Sequence, residues 1–338
     1  MADRRLSCAV WAVAAASAAC GGAGTQPSSG PAIVCPASQT LQSLDGRPVT
    51  AIYTPVSVSG KTPLSVACVP AAGSAFPIGA NKVTCTATDA DARQASCSFT
   101  VTVLGQPRLS VTKFTAFGDS ITAGVTDPPC GIISALGLAT PQQLAEERRL
   151  LLASLETATS YPTVLRGQLA SRYATQSPVV SNDGYAGECI VLNCTPPPDP
   201  LTRLRTALDV EKPDVLLLQE GVNDLNNLHT AGISSIRDAL QAMIQTARGR
   251  GVQVLLGTLL PQRAGACRGY AVPDVPPMND AIRALATSSG STLVDLYQAL
   301  GGVADPYIGQ DGLHPNASGY QKMADAFFQT IQSKYEVK

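Results

Sequence analysis

Two hydrophobic rhythms divide the chain. In its first third, short β-prone runs occupy Val49 to Val58, Leu64 to Val69, Asn81 to Ala87 and Ala95 to Val103. The last of these, Ser96-Cys97-Ser98-Phe99-Thr100-Val101-Thr102-Val103, alternates polar and apolar residues with period two, the signature of a strand with one face inward. Gly and Pro punctuate the runs at the spacing of a β-sandwich. From Val111 onward the rhythm changes. Leu109 to Phe117, Pro178 to Ser181, Asp214 to Gln219, Val252 to Gly257 and Thr292 to Val294 read as strands. Asp214 to Gln219 carries the continuous apolar run Val215 to Leu218, as expected for a parallel strand buried on both faces. Between strands, Ile233, Ile236, Leu240, Met243, Ile244 and Ala247 share one helical face, with Gly249 placed to end the helix. Tyr320, Met323, Phe327, Phe328 and Ile331 do the same near the C-terminus. Strand–helix alternation predicts a three-layer α/β/α domain with a parallel sheet over 107–338, preceded by a small all-β sandwich over 32–105.

Composition narrows the function. The 338 residues are 45% hydrophobic, enough for a large core, and only 14% charged, with a formal net charge of −1. No basic field is available for nucleic acid. Residues 1–20 read as an export signal: Arg4 and Arg5, then the apolar, small-residue stretch Leu6 to Ala19, too short to span a bilayer. The small residues before Cys20-Gly21-Gly22 resemble a bacterial lipoprotein signal, although Ser17 stands where a larger aliphatic residue is usual. On that reading a lipidated Cys20 attaches the protein to a membrane, as a periplasmic or cell-surface lipoprotein. Ordinary cleavage near Ala18 or Ala19 would instead make it secreted. Residues 21–31, built of Gly, Ser and Pro, read as a flexible tether.

Ten cysteines are present. Setting aside Cys8 and Cys20 leaves Cys35, Cys68, Cys85 and Cys97 before residue 105, and Cys130, Cys189, Cys194 and Cys267 after it. An even number on each side fits disulfides in an oxidising compartment. No C-x-x-C pair points to zinc, and no ligand cluster or glycine-rich phosphate motif calls for a metal or cofactor. Asp89 and Asp91 can be read as calcium ligands, but two carboxylates on a hairpin are more often a solvated turn.

The candidate chemistry begins where the first strand of the second domain ends, in Phe117-Gly118-Asp119-Ser120-Ile121-Thr122-Ala123-Gly124. Ligands of open α/β sheets sit at the carboxyl ends of strands, which places Ser120 there. Its bland alternative is a helix N-cap. A serine hydroxyl becomes a useful nucleophile only when a base takes its proton, and the chain has two histidines. His314, in Asp311-Gly312-Leu313-His314-Pro315, has a carboxylate three residues earlier that one turn can bring to the imidazole, fixing its tautomer. His229, in Asn226-Asn227-Leu228-His229, reads as a solvated loop histidine. Donors for a developing oxyanion are offered by two loops, Ser181-Asn182-Asp183-Gly184-Tyr185-Ala186-Gly187-Glu188 and Glu220-Gly221-Val222-Asn223-Asp224.

Two resemblances organise these motifs. Cys35-Pro36, Gly73-Ser74-Ala75-Phe76-Pro77-Ile78-Gly79, Val83-Thr84-Cys85-Thr86-Ala87-Thr88-Asp89-Ala90 and Cys97-Ser98-Phe99-Thr100-Val101-Thr102-Val103 resemble the hyalin-repeat (HYR) family, an immunoglobulin-like module. That likeness implies a spacer or a surface contact with protein or glycan. We expect the pairs Cys35–Cys97 and Cys68–Cys85, although four cysteines allow three connectivities. The sole tryptophan is Trp11, leaving Tyr53, Phe76 and Phe99 as the module's aromatics, few for a carbohydrate-stacking platform.

Gly118-Asp119-Ser120, Gly187, Gly221-Val222-Asn223-Asp224 and Asp311-Gly312-Leu313-His314-Pro315 resemble, in order, the four blocks of the SGNH (GDSL-type) hydrolases. The resemblance implies Ser120 as nucleophile, His314 as base and Asp311 as its orienter. It also implies an oxyanion hole formed by Ser120, Gly187 and Asn223, with Gly184 competing with Gly187 for the backbone role. The implied reaction is hydrolysis of carboxylic esters, on a small-molecule or acylated-carbohydrate substrate with a short acyl or acetyl group, through an acyl-enzyme. An adhesion protein with an idle hydrolase domain, and an acyltransferase using the same triad, are the alternatives.

Two local expectations complete the reading. The insertion Asp127 to Ser160, with a helix starting at Thr140-Pro141-Gln142-Gln143 and a stripe of Leu144, Leu151, Leu152 and Leu155, is expected to pack on the core or to cover the acyl pocket. A Cys189–Cys194 disulfide would brace the oxyanion loop and leave Cys130–Cys267 as the remaining pair, with other pairings open.

Overall fold

In a computed structural model, residues 30–55, 57–130, 149, 152–155, 157–192, 194 and 199–337 are described. The expected export signal, most of the expected tether, the helix expected at Thr140, Leu144 and Leu151 lie outside them. The chain divides into two compact units at Gly105/Gln106.

The first unit is all β. Its strands are β1 (Ala32–Val34), β2 (Gln39–Gln42), β3 (Val49–Thr50), β4 (Ser57–Ser59), β5 (Ser65–Val69), β6 (Ala75–Phe76), β7 (Gly79–Thr88) and β8 (Gln94–Leu104). A four-stranded sheet runs β2-β8-β7-β5, with β1–β4 and β3–β6 as separate antiparallel pairs. The period-two reading of β8 holds, since Phe99, Val101 and Val103 are buried while the intervening threonines are not. These three close a core with Tyr53, Phe76 and Val83. The single expected strand Val49 to Val58 is two strands, because β3 and β4 pair with different partners. Disulfides join Cys35 to Cys97 and Cys68 to Cys85. The Asp89 carboxylate takes the Arg93 guanidinium and the backbone N–H groups of Asp91 and Arg93.

The second unit carries a five-stranded parallel sheet in the order β11-β10-β12-β13-β14. Its strands are β10 (Lys113–Gly118), β11 (Val179–Gly184), β12 (Val215–Gln219), β13 (Gln253–Gly257) and β14 (Thr292–Val294). Helix α1 (Ser120–Ala123) follows β10, and α2 (Tyr161–Arg172) leads to β11. Then come α3 (Pro200–Glu211), α4 (Val222–Leu228), α5 (Ile233–Arg248), α6 (Val275–Ser289), α7 (Leu296–Ala299) and α8 (Ala317–Tyr335). Helix α2 packs on α8, while α3, α5 and α6 pack in series, giving helix layers on both faces of the sheet. Every residue of β12 is buried, as a strand covered on both faces requires. The expected stripes hold: Ile236, Leu240, Met243, Ile244 and Ala247 are buried on α5, and Tyr320, Met323, Phe327 and Ile331 on α8.

The expected strand Leu109 to Phe117 is broken. Residues Arg108–Leu109 form β9, which pairs antiparallel with the C-terminal β15 (Glu336–Val337), and the sheet strand begins at Lys113. Of the insertion's leucines within the described residues, Leu155 packs against Val125 and Ala186, whereas Leu152 is half exposed.

Because β10 lies between β11 and β12, the chain leaves β10 toward one side of the sheet and returns to the other. The crevice at the carboxyl ends of β10 and β12 is the topological switch point, where such sheets bind ligands.

Candidate active site

Ser120 is the first residue of α1, one residue past Asp119 and directly above β10. Asp119 caps the helix, its Oδ1 accepting the Ile121 N–H at 2.8 Å, so Ser120 is not the N-cap. Space here is so limited that a Cβ on Gly118 would meet the Thr122 hydroxyl at 2.1 Å and the Gln219 carbonyl at 2.4 Å. A glycine is therefore required for the strand to turn into the helix.

The Ser120 hydroxyl lies 2.8 Å from Nε2 of His314, across 194 residues of sequence. Nδ1 of the same ring lies 2.5 Å from Oδ2 of Asp311. The other carboxylate oxygen, Oδ1, accepts the backbone N–H groups of Leu313 at 3.1 Å and His314 at 3.0 Å. Burial pushes the Asp311 carboxyl up, but the His314 hydrogen bond, its charge and those backbone donors together hold it below its ordinary value. All three side chains are buried, Ser120 and His314 each 1% exposed. A hydrogen-bond chain of this order can carry the serine proton to an imidazole whose positive form is stabilised by a carboxylate.

The loop carrying His314 is tied down from several sides. Gly309 N–H donates to the His314 carbonyl, and the Tyr320 hydroxyl at the start of α8 donates to the Val125 carbonyl at 2.6 Å. The Asp311 N–H donates to Oδ1 of Asp127 at 2.8 Å. Asp127 has a φ of 41°, a left-handed conformation that Asp tolerates better than most residues. Disulfide Cys130–Cys267 joins the segment after α1 to the loop whose Arg268 N–H donates to the Asp311 carbonyl.

The two loops expected to supply oxyanion donors meet through Asn223 and Glu188. Gly187 has φ +81°, and Gly221 has φ +101°, with Ile236 only 2.6 Å from where its Cβ would sit. The Asn223 side-chain amide donates to the Glu188 carbonyl at 2.7 Å, which leaves its second N–H for another acceptor. Asp224 clamps the stretch after Gly187, accepting the N–H groups of Ile190, Val191 and Leu192 at 2.7, 2.9 and 2.8 Å. Disulfide Cys189–Cys194 closes the same loop. Gly184 is otherwise engaged: its N–H donates to Asn182 Oδ1 at 3.0 Å, and a Cβ there would meet the Ala123 nitrogen at 2.0 Å. It is a packing glycine, needed where β11 passes α1.

Beneath the serine lies a group of carboxylates that sequence reading did not single out. Asp119, Glu188 and Glu220 are all about 1% exposed or less, with Asp224 beside them and Arg203 as their shared cation. Burial, reinforced by Glu188 and Asp224, pushes the Asp119 carboxyl up to about 7. Burial, with Asp119 and Glu188 adding to it, holds Glu220 well above the usual carboxylate range. They come from three separate motifs, and only the fold stacks them together. His229 is half exposed with Nδ1 2.8 Å from Asp274, so it is a paired histidine and not a purely solvated one. Among the described residues no group of His, Cys, Asp and Glu is arranged to hold a metal.

A family model described as GDSL-like Lipase/Acylhydrolase matches residues 116–322, a stretch that contains every element of the crevice. The chain belongs to the GDSL-like lipase/acylhydrolase family. A second model, the HYR domain, matches residues 26–103, ahead of the GDSL-like part. A multidomain esterase from Ruminococcus flavefaciens is 30% identical over 121 residues, which is 36% of this chain and 16% of that protein's length. Among solved structures, the lipase/acylhydrolase from Enterococcus faecalis is 22% identical, covering 67% of this chain and 98% of its own, with a TM-score of 0.46. An α/β hydrolase from the metagenome of Lake Arreo, Spain, is 20% identical, covering 66% and 96%, with a TM-score of 0.47.

Proposed function

We propose that this GDSL-like protein is an exported serine esterase that hydrolyses short-chain acyl or acetyl esters of small molecules or acylated carbohydrates. The observation that carries the proposal is the buried chain Ser120–His314–Asp311, at 2.8 and 2.5 Å. In the reading it supports, His314 takes the Ser120 proton as Oγ attacks the ester carbonyl, and Asp311 stabilises the imidazolium. The developing oxyanion is received by the Ser120 and Gly187 backbone N–H groups and by the second N–H of Asn223. His314 then protonates the departing alcohol, and water, deprotonated by the same imidazole, releases the acid from the acyl-serine.

The near-complete burial of Ser120 and His314 favours a small acyl group. Four disulfides favour an oxidising compartment, which fits export of the chain by the segment before Cys20. Among the described residues no helix is long and apolar enough to cross a membrane; a lipidated Cys20 is the attachment we propose. The HYR module supports contact with a surface protein or glycan.

Hydrolysis of p-nitrophenyl acetate by wild type and by Ser120→Ala tests the chemistry. Turnover by wild type, reduced at least about 10³-fold in the variant, is the expected result. A wild type without turnover on esters of any chain length would leave the adhesion reading standing.

A further inference from the structure

The three proposed oxyanion donors come from three separate strand ends, and among the described residues no disulfide joins those ends. One side chain touches all three. Arg203 projects from α3, whose N-cap Asp199 accepts the Thr202 N–H at 3.1 Å, and is 13% exposed. Its Nε donates to Glu188 Oε1 at 2.9 Å, and its Nη2 donates to Glu188 Oε2, a two-pronged grip on the residue after Gly187. The same Nη2 donates to the Gly118 carbonyl at 3.2 Å, two residues before Ser120. It also lies 3.8 Å from the carboxylate of Glu220, three residues before Asn223. Nη1 donates to the Asp183 carbonyl at 2.6 Å, at the end of β11. The guanidinium plane rests 3.7 Å from the centre of the Phe117 ring.

We infer that Arg203 is a positioning residue that sets the oxyanion donors of the Ser120, Gly187 and Asn223 loops in register. The inference rests on the esterase reading above. The linkage is continuous. Arg203 holds the Glu188 carboxylate, and the Glu188 carbonyl receives the Asn223 amide at 2.7 Å, so a shift of Glu188 moves Gly187 and Asn223 together. A planar fork with five donors is needed to serve a carboxylate and two carbonyls at once. A lysine offers the same charge to the buried carboxylates but has no fork and cannot span the strand ends. Charge and geometry can therefore be separated by substitution. Arg203 touches no reacting atom, so its influence has to pass through donor placement, which matters more to the tetrahedral state than to the bound ester.

The test compares wild type, Ser120→Ala, Arg203→Lys and Glu188→Gln on p-nitrophenyl acetate. It adds inhibition by a short alkylboronic acid, which forms a tetrahedral adduct on the serine, and thermal melting as the measure of folding. In Arg203→Lys, kcat is expected to fall about 10²–10³-fold, the scale of one lost oxyanion donor. KM should change by less than about threefold, and boronate affinity should fall alongside kcat. Glu188→Gln, which keeps the guanidinium but spoils the grip, should show the same split. Wild-type kcat in Arg203→Lys would overturn the inference. So would a loss that merely follows the folded fraction while boronate affinity is unchanged. Failure of the esterase reading itself would look different: no turnover by wild type, or turnover surviving in Ser120→Ala, and the Arg203 inference would fall with it.

Discussion

Asp311 grips His314 at two points, with Oδ2 2.5 Å from the ring Nδ1 and Oδ1 accepting the backbone N–H of the same residue at 3.0 Å. One carboxylate thus fixes both the tautomer of the imidazole and the turn that delivers it. An asparagine can serve one of these contacts but not both, and an amide N–H facing Nδ1 selects the wrong tautomer.

Asp311→Asn should therefore lower kcat on p-nitrophenyl acetate by about 10³–10⁴-fold in a folded protein. The carboxyl is held below its ordinary value, so its contribution to stability is present above that value. The contribution is lost as pH falls through the lower folded value. Wild type should melt higher than the variant at neutral pH, and the difference should shrink as pH falls through the carboxyl's lowered value. A melting difference unchanged from neutral to strongly acidic pH would contradict this account of the carboxylate.

Asp119 works in the opposite direction. Its value in the fold is about 7, against 3.8 for a free side chain, chiefly through burial and then through Glu188 and Asp224, with Arg203 opposing. Between about pH 4 and pH 7 the native state keeps a proton that the unfolded chain has released, so stability falls as pH rises across that window. Asp119→Asn keeps an oxygen to accept the Ile121 N–H and removes the ionisation. Its melting temperature should gain on that of wild type from pH 5 to pH 8, read by calorimetry or circular dichroism. A constant offset across that range would show that Asp119 does not carry the effect.

The two disulfides of the GDSL-like unit should separate stability from activity. Cys130–Cys267 closes 137 residues of sequence and Cys189–Cys194 only 5. On loop-closure entropy alone, removing the first should cost about 5 kcal/mol and the second about 2 kcal/mol. The short bridge, however, closes the loop that follows Gly187. The double variant Cys189→Ser/Cys194→Ser should lose more kcat per folded molecule, and Cys130→Ser/Cys267→Ser more melting temperature. Denaturant titration and kcat measured on the folded fraction check both halves.

Much of the fold was legible because its signals are local. Period-two alternation in Ser96–Val103, the continuous apolar run of Val215–Leu218 and the helical stripe from Ile236 to Ala247 each report burial through short-range pattern. Where the sequence reading failed, the deciding contact was distant. The strand Leu109 to Phe117 breaks because Arg108–Leu109 pairs with Glu336–Val337 at the far end of the chain, and Val49 to Val58 splits between two partners. Local periodicity carries no record of such pairings.

The site divides in the same way. The sequence by itself determined which groups are present: a serine after a Gly-Asp turn, an aspartate three residues before a histidine, and two loops rich in Gly and Asn. It favoured Gly187 over Gly184 only because Gly187 fills the motif's final glycine, and it contained no mark on Arg203, an ordinary charged residue in an amphipathic helix. Tertiary structure supplies the contacts that set Gly184 and Arg203 apart. Chain crossing at the sheet's switch point packs Gly184 against Ala123 and draws three strand ends around one guanidinium. Those are contacts between residues far apart in sequence, set by packing, and no pattern along the chain encodes them.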